Sequence, residues 1–297
     1  MKIEIDTNAG FCFGVTRVVE MAENIIRKQG NLYCLGEIVH NRKEIQRLES
    51  IGLKTISYEE FFRLSDCTVL IRAHGEPPET YQHAAAHNIT LIDGTCPIVL
   101  RLQKRIRNTY HEHAPGGIQV VIYGKKDHAE VRGLSGQVQY NTIILESEAD
   151  LDLIDYSKPI HIFSQTTMNL DKYNALRQMV VDRARQAGAA RETVTCTSSV
   201  CGQVSNRVPK LRHFCSLYDV ILFVSSVQSS NGKLLFAHCR EANKNTYFVS
   251  ETTDVKPAWF VHASSVGITG ATSTPRWLLE QFAREVLRLS DDANNSY

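Results

Sequence analysis

The stretch Asn8-Ala9-Gly10-Phe11-Cys12-Phe13-Gly14 follows an expected strand, Ile3 to Ile5, and precedes a segment with Val15, Val18, Val19, Ala22, Ile25 and Ile26 at helical spacing. It reads as strand, glycine-flanked turn and amphipathic helix, with Cys12 just ahead of the helix N-terminus. There the helix dipole and unbonded amides favour thiolate over thiol, the setting of a ligand or nucleophile. A single cysteine in such a turn is more often a packed small residue, so the weight comes from recurrence.

The arrangement returns twice. Ile89-Thr90-Leu91-Ile92-Asp93-Gly94-Thr95-Cys96-Pro97 is again a strand reaching a cysteine, followed by a helical face of Ile98, Leu102 and Ile106. Pro97 suits a first helical position, where no amide bond is lost. Thr193-Val194-Thr195 then leads to Cys196 and Cys201, followed by Val204, Val208, Leu211 and Cys215 on one expected helical face. At similar distances downstream each cysteine has a polar loop after a strand: His40, then Gly124 and His128, then Ser229-Ser230-Asn231. A second polar loop lies further on: Ala73-His74-Gly75, Gln165-Thr166-Thr167 and Thr269-Gly270-Ala271-Thr272-Ser273. Between the two, each repeat carries a strand running into an acidic helix start, at Ile56 to Glu59, Leu145 to Glu148 and Val249 to Glu251. One supersecondary unit used three times accounts for this spacing.

Strands alternating with helices, most strands apolar, predict parallel sheets covered by helices. The expected architecture is α/β: three pseudo-symmetric lobes spanning 1–96, 97–193 and 194–289, a closing helix from Pro275 to Leu289, and a frayed tail over 290–297. Functional loops in such sheets lie at the carboxyl ends of strands, so three lobes about a pseudo-threefold axis would bring their loops to one cavity.

With 297 residues and a net charge of +1, nothing in the composition favours nucleic acid or membrane as a partner. No apolar run approaches a membrane span, and Met1-Lys2-Ile3 enters a strand directly, so a cytoplasmic protein with reduced thiols is expected. Of eight cysteines, Cys34, Cys67, Cys215 and Cys239 read as core filler. Cys12, Cys96 and one of Cys196 and Cys201 lie in strand-to-helix loops. Cys201 directly precedes its helix, as Cys12 and Cys96 do, whereas Cys196 would end a strand.

Three thiolates from three lobes do not suit structural zinc, which takes four ligands and usually C-x2-C pairs. They suit a 4Fe–4S cluster with one iron left open to act as a Lewis acid. The polar loops, with His40, His74, His128, Ser229, Ser230, Asn231 and Ser273, suit a phosphate or diphosphate. Glu130, two residues past His128, is the candidate proton donor. Burial and neighbouring negative charge would raise its pKa.

Gly10-Phe11-Cys12-Phe13-Gly14-Val15, Ile38-Val39-His40-Asn41, Ala73-His74-Gly75, Asp93-Gly94-Thr95-Cys96-Pro97, His128-Ala129-Glu130-Val131, Gln165-Thr166-Thr167, Ser229-Ser230-Asn231 and Val266-Gly267-Ile268-Thr269 together resemble the 4-hydroxy-3-methylbut-2-enyl diphosphate reductases, in order and over nearly the whole chain. The resemblance implies a three-lobed trefoil around one 4Fe–4S cluster held by Cys12, Cys96 and Cys201. The last is supported by Asn206-Arg207, since the family's third cysteine precedes such a pair at this spacing. It implies that His40, His74, His128, Thr166, Thr167, Ser229, Ser230, Asn231 and Ser273 hold an allylic diphosphate. Glu130 and Thr166 would position and protonate its leaving hydroxyl. The implied reaction is a two-electron reductive dehydroxylation giving isopentenyl and dimethylallyl diphosphate. Electrons would come from a ferredoxin or flavodoxin, for which Lys125, Lys126 and Arg132 are candidate docking cations.

Two departures from the family pattern stand out. Val204 replaces a threonine found in many relatives, and Ser225-Ser226-Val227-Gln228 lacks a common glycine and lysine. Neither removes a ligand. A quinolinate synthase-like cluster enzyme is the nearest rival, but its carboxylate substrates would not need a histidine and serine cradle. A non-catalytic iron–sulfur sensor would not need Glu130.

Overall fold

The computed structural model describes residues 1–113, 116–188, 190, 193–227 and 229–294, the side chains of 204, 230, 231 and 291–294 excepted. In chain order it begins with β1 (Lys2–Ile5) and α1 (Phe13–Gln29), then β2 (Leu32–Leu35), α2 (Arg42–Ser50), β3 (Leu53–Ile56), α3 (Tyr58–Phe61), β4 (Thr68–Ile71), α4 (Pro78–Ala86) and β5 (Thr90–Asp93). Next come α5 (Pro97–His113), β6 (Gln119–Tyr123), α6 (Ala129–Gly136), β7 (Thr142–Leu145), β8 (Ile160–Ser164), α7 (Leu170–Gln186) and β9 (Val194–Cys196). The chain continues with α8 (Gly202–Ser205), α9 (Arg207–Cys215), β10 (Val220–Val224), α10 (Ser230–Ala242), β11 (Thr246–Val249), β12 (Ser265–Gly270) and α11 (Arg276–Asn294).

The strands form three four-stranded sheets, in the orders β3-β2-β4-β5, β7-β6-β8-β9 and β11-β10-β12-β1, and every pairing is parallel. The order is the same each time. In each sheet the fourth, edge strand is the one that runs on toward a candidate cysteine: β5 toward Cys96, β9 toward Cys201, β1 toward Cys12. Sheet membership therefore differs from the sequence division at two strands. β9 belongs with the middle sheet, and β1 belongs with the last one, Lys2 facing Ser265 and Ile5 facing Ile268. The repeat length was readable locally; a pairing between the two ends of the chain was not.

Two compact units emerge, Met1–Thr16 with Val39–Leu48 and Asn206–Tyr297, and Arg17–Ile38 with Glu49–Ser205. In the first, the run Val220 to Val224 is buried throughout. Its alternate side chains serve two faces, as a strand requires. Val220, Leu222 and Val224 pack with Leu278, Leu279, Phe282 and Val286 of α11. Ile221 and Phe223 pack with Leu211 and Cys215 of α9 and Leu235 and Cys239 of α10. In the second unit β6 does the same: Val121 and Tyr123 face Tyr173, Leu176 and Val180 of α7, while Val120 and Ile122 face Leu102 and Ile106 of α5 and Val131 and Leu134 of α6.

The acidic starts after β3, β7 and β11 also match one another. Glu60 Oε2 accepts the Ser57 amide at 2.7 Å. Asp150 Oδ2 accepts the amides of Glu146 and Ser147 at 2.9 and 3.0 Å, and Asp254 Oδ2 those of Ser250 and Glu251, both at 2.8 Å. Each carboxylate satisfies amides that the end of the strand would leave bare.

Two helices differ from expectation. The single helix expected after Cys201 is split into α8 and α9 at Asn206. Pro209 has no amide to bond back to Ser205, so it must sit in the first turn of a new helix. The closing helix runs to Asn294 rather than stopping at Leu289. Ser290 to Asn294 contains no glycine or proline, and Ser290 Oγ donates to Leu287 O at 2.7 Å.

Candidate active site

Cys12, Cys96 and Cys201 each stand directly before a helix, α1, α5 and α8. All three are half-buried, and no disulfide joins any cysteine among the described residues. Two of the thiol-bearing residues have their amides anchored to the polar loops of the sequence repeat. The Cys96 amide donates to Ala73 O at 3.0 Å, next to His74, and the Cys201 amide donates to Thr166 O at 2.8 Å. Cys196 is the last residue of β9 and packs against the Leu145, Ile162 and Tyr173 cluster; burial raises its pKa. The fillers Cys34, Cys215 and Cys239 are buried, as expected, whereas Cys67 is only half-buried.

Glu130 is the clearest departure from ordinary side-chain chemistry. It lies in the first turn of α6 and is 1 % exposed. Thr166 reaches it twice, amide to Oε1 at 2.7 Å and hydroxyl to Oε2 at 2.9 Å. Burial lifts its pKa to about 7, against the pull of the two Thr166 bonds, which favour the carboxylate. A solvated helix-start glutamate is thereby excluded. Burial alone produces the shift among this chain's own groups; no neighbouring carboxylate contributes.

His128 caps α6, and its Nδ1 accepts the Glu130 amide at 3.1 Å. The same ring therefore carries its neutral-state proton on Nε2. The His74 ring meets it edge-on, with centroids 5.2 Å apart. The loop between His74 and α4 is held close to its neighbours: Gly75 has φ +74°, and a Cβ there would meet Gln103 Nε2 at 2.7 Å and Thr95 Cγ2 at 2.9 Å. Beneath it Glu76 is fully buried, accepts the Tyr58 hydroxyl at 2.6 Å and is pushed up by burial. No motif or repeat feature marks this carboxyl group. Gln165 was also missed as an organiser. It is buried, accepts the Lys125 amide at 3.1 Å and donates to Thr167 Oγ1 at 2.7 Å.

In the other unit, His40 precedes α2, whose first turn is capped by Asn41 Oδ1 accepting the Glu44 amide at 3.1 Å. Glu44 is buried and binds Arg47 by a two-pronged pair at 2.9 and 2.7 Å. It also accepts Trp277 Nε1 at 2.6 Å. Ser229 caps α10, its Oγ accepting the Gly232 amide at 3.0 Å. Ser273 is half-buried in the loop after β12. The side chains of Ser230, Asn231 and Val204 lie outside the described residues. Lys126 and Arg132, candidate docking cations, are engaged within their unit: Lys126 Nζ with Asp150 at 2.9 Å, and the Arg132 guanidinium 3.7 Å above the Tyr58 ring.

Three lobes of one build, with a buried acid clamped by a threonine at the carboxyl end of a strand, define an α/β enzyme assembled from repeated lobes. The chain belongs to the LytB protein family, whose model matches residues 3–287. It is 47% identical to the 4-hydroxy-3-methylbut-2-enyl diphosphate reductase of Parabacteroides distasonis, over 98% of this chain and 99% of that one. It is 46% identical to the enzyme of the same name from Porphyromonas gingivalis, over 97% and 99%. A solved structure of (E)-4-hydroxy-3-methyl-but-2-enyl diphosphate reductase, the terminal enzyme of the non-mevalonate pathway, superposes with a TM-score of 0.79 at 31% identity, covering 97% of this chain and all of that one.

Proposed function

We propose that this chain is a 4-hydroxy-3-methylbut-2-enyl diphosphate reductase. It would remove the allylic hydroxyl of its substrate with two electrons and two protons, releasing water and forming isopentenyl and dimethylallyl diphosphate. The observation that carries this assignment is the buried Glu130 carboxyl gripped by Thr166, in a chain closely similar over its full length to reductases of that name.

The donor set suits an iron–sulfur cluster. Cys12, Cys96 and Cys201 are soft sulfur ligands outside any disulfide, none deeply buried, each at a helix start. These three would hold a 4Fe–4S cluster at three corners. When bound, such a cluster supplies single electrons and one open Lewis-acidic iron.

The proton chemistry follows from Glu130's two oxygens. Oε1 accepts the Thr166 amide, so the acidic proton belongs on Oε2, facing the Thr166 hydroxyl. In that state Oε2–H donates to Thr166 Oγ1, and the threonine's own hydrogen turns outward, toward the leaving hydroxyl. Glu130 thus supplies the proton that converts hydroxide into water, and a pKa of about 7 keeps much of it protonated at neutral pH. His128, with Nδ1 committed to the Glu130 amide, offers Nε2–H to an anion, and His74 stands beside it. His40, the Ser229 hydroxyl, Thr167 and Ser273, with Ser230 and Asn231, complete the proposed diphosphate ligands.

The electron donor is proposed to be a reduced ferredoxin or flavodoxin in the cytoplasm. No helix among the described residues is long and apolar enough to cross a membrane. The decisive experiment is anaerobic purification with iron and sulfide counts, then turnover of the allylic diphosphate with a reduced viologen dye. Iron-containing protein that yields both five-carbon diphosphates supports the assignment. Iron-free protein, or iron-loaded protein that leaves the substrate intact, rejects it.

A further inference from the structure

Arg207, the first residue of α9, is a guanidinium 5 % exposed. Burying such a charge is costly unless its partners are well placed, and here they come from two other chain segments. Nη1 donates to the backbone carbonyl of Asn8 and lies 3.5 Å from Asp6 Oδ2. Nη2 donates to Gly270 O at 3.0 Å and reaches Thr269 Oγ1 at 3.4 Å. Asp6, also buried, is fixed in turn: its Oδ2 accepts the Thr269 hydroxyl at 2.8 Å and its Oδ1 the Asn8 amide at 2.8 Å.

Each joined segment leads to a residue of the proposed site. Asp6 to Asn8 open the turn that ends at Cys12. Thr269 and Gly270 end β12 and open the loop bearing Ser273. Within the same turn Gly10 has a φ of +101°, a conformation that admits no ordinary side chain without strain. Apolar packing could join these segments more cheaply. It could not fix the direction of a single carbonyl, that of Asn8 four residues before the thiol, as a forked donor does.

We infer that Arg207, locked by Asp6, is a positioning residue that aims the Cys12 turn toward its metal ligand role. This rests on the cluster assignment above, and the test separates the two. Three variants suffice: Arg207→Lys keeps the charge and loses the fork, Arg207→Met loses the charge, and Asp6→Asn with Arg207→Met removes both charges. Each is purified anaerobically as holoenzyme and followed by melting temperature, by iron release to a ferrous chelator, and by the paramagnetic resonance spectrum of the reduced cluster.

All three variants are expected to release iron about ten to a hundred times faster than the parent, the usual effect of disturbing a residue behind a metal ligand, and to show an altered spectrum. The double variant is expected to do so at a melting temperature close to the parent's. If the double variant regains the parent's iron retention along with its stability, or if iron release merely tracks melting temperature across the set, the positioning role is overturned. Parent protein without iron would overturn the cluster assignment and this inference together. Iron-bearing parent with indistinguishable variants would remove this inference alone.

Discussion

On the proposed reading, Glu130 governs both chemistry and stability at the scale of one residue. Glu130→Gln keeps the shape and loses the proton, so turnover of the allylic diphosphate should fall by about 10²–10⁴ with the KM little changed, measured by steady-state kinetics under anaerobic conditions. With the parent enzyme, turnover should decline as pH rises past the carboxyl's pKa of about 7. Folding stability carries the same sign. The folded pKa lies above the ordinary 4.5, so the native state binds the extra proton. Its contribution is complete below the unfolded value and is lost as pH climbs through the folded one. A loss of about 3 kcal/mol between pH 4.5 and 8 should appear in urea unfolding of the parent and vanish in Glu130→Gln. The cysteines give a separate prediction: Cys201→Ser should lose the cluster and Cys196→Ser should keep it, by iron analysis and visible absorbance. Much of this was legible in the sequence. Motif and repeat single out Glu130 and Thr166, and the structure brings them into contact. Glu76, Gln165 and Arg207 as a cross-link were not legible, because their importance arises from burial and from partners distant in sequence.

Helices and strands place these residues, and the seam between α6 and the loop before α4 is tight. A Cβ on Gly136 would fall 3.1 Å from Pro77 Cα and nearer still to its Cβ. Gly133 comes equally close to the chain, its Cβ position 3.1 Å from Gly75 O. Helix α6 carries His128 and Glu130 at its start, so its seat governs where both lie. Gly136→Ala should destabilise the protein by about 1–3 kcal/mol through overpacking, seen as a lower urea midpoint with an unchanged m-value. The substrate's KM should rise more than kcat falls. Strands and the first and second cysteine helices were readable from apolar runs, helical spacing and turn residues. The break between α8 and α9 needed attention to Pro209, whose missing amide outweighs an otherwise continuous apolar face.

Across the whole molecule, the three sheets share one strand order, and the repetition was visible in the spacing of cysteines, polar loops and acidic helix starts. Which sheet each edge strand joins was not visible. β1 and β12 carry no mutual signature along the chain, and only the bare edge of β12 calls for a partner. Deleting residues 1–5 should therefore unmask that edge. It would also strip Ile3 and Ile5 from the α11 side of the core. The expected result is self-association at micromolar concentration by light scattering, with a lowered melting temperature. A monomeric truncated protein of unchanged stability would show the strand to be dispensable.

The pairing of β1 with β12 also sets a timetable for the newborn chain. The first strand leaves the ribosome roughly 260 residues before its partner does, an interval of about 13–50 s at ordinary translation speeds. Until then Ile3 and Ile5 and the cysteine loop that follows them lack the sheet they pack into. The two sheets of the central segment can mature during that wait, whereas the last one closes only once β12 has emerged. Until β12 emerges, the strand from which the Cys12 turn hangs has no sheet of its own to join.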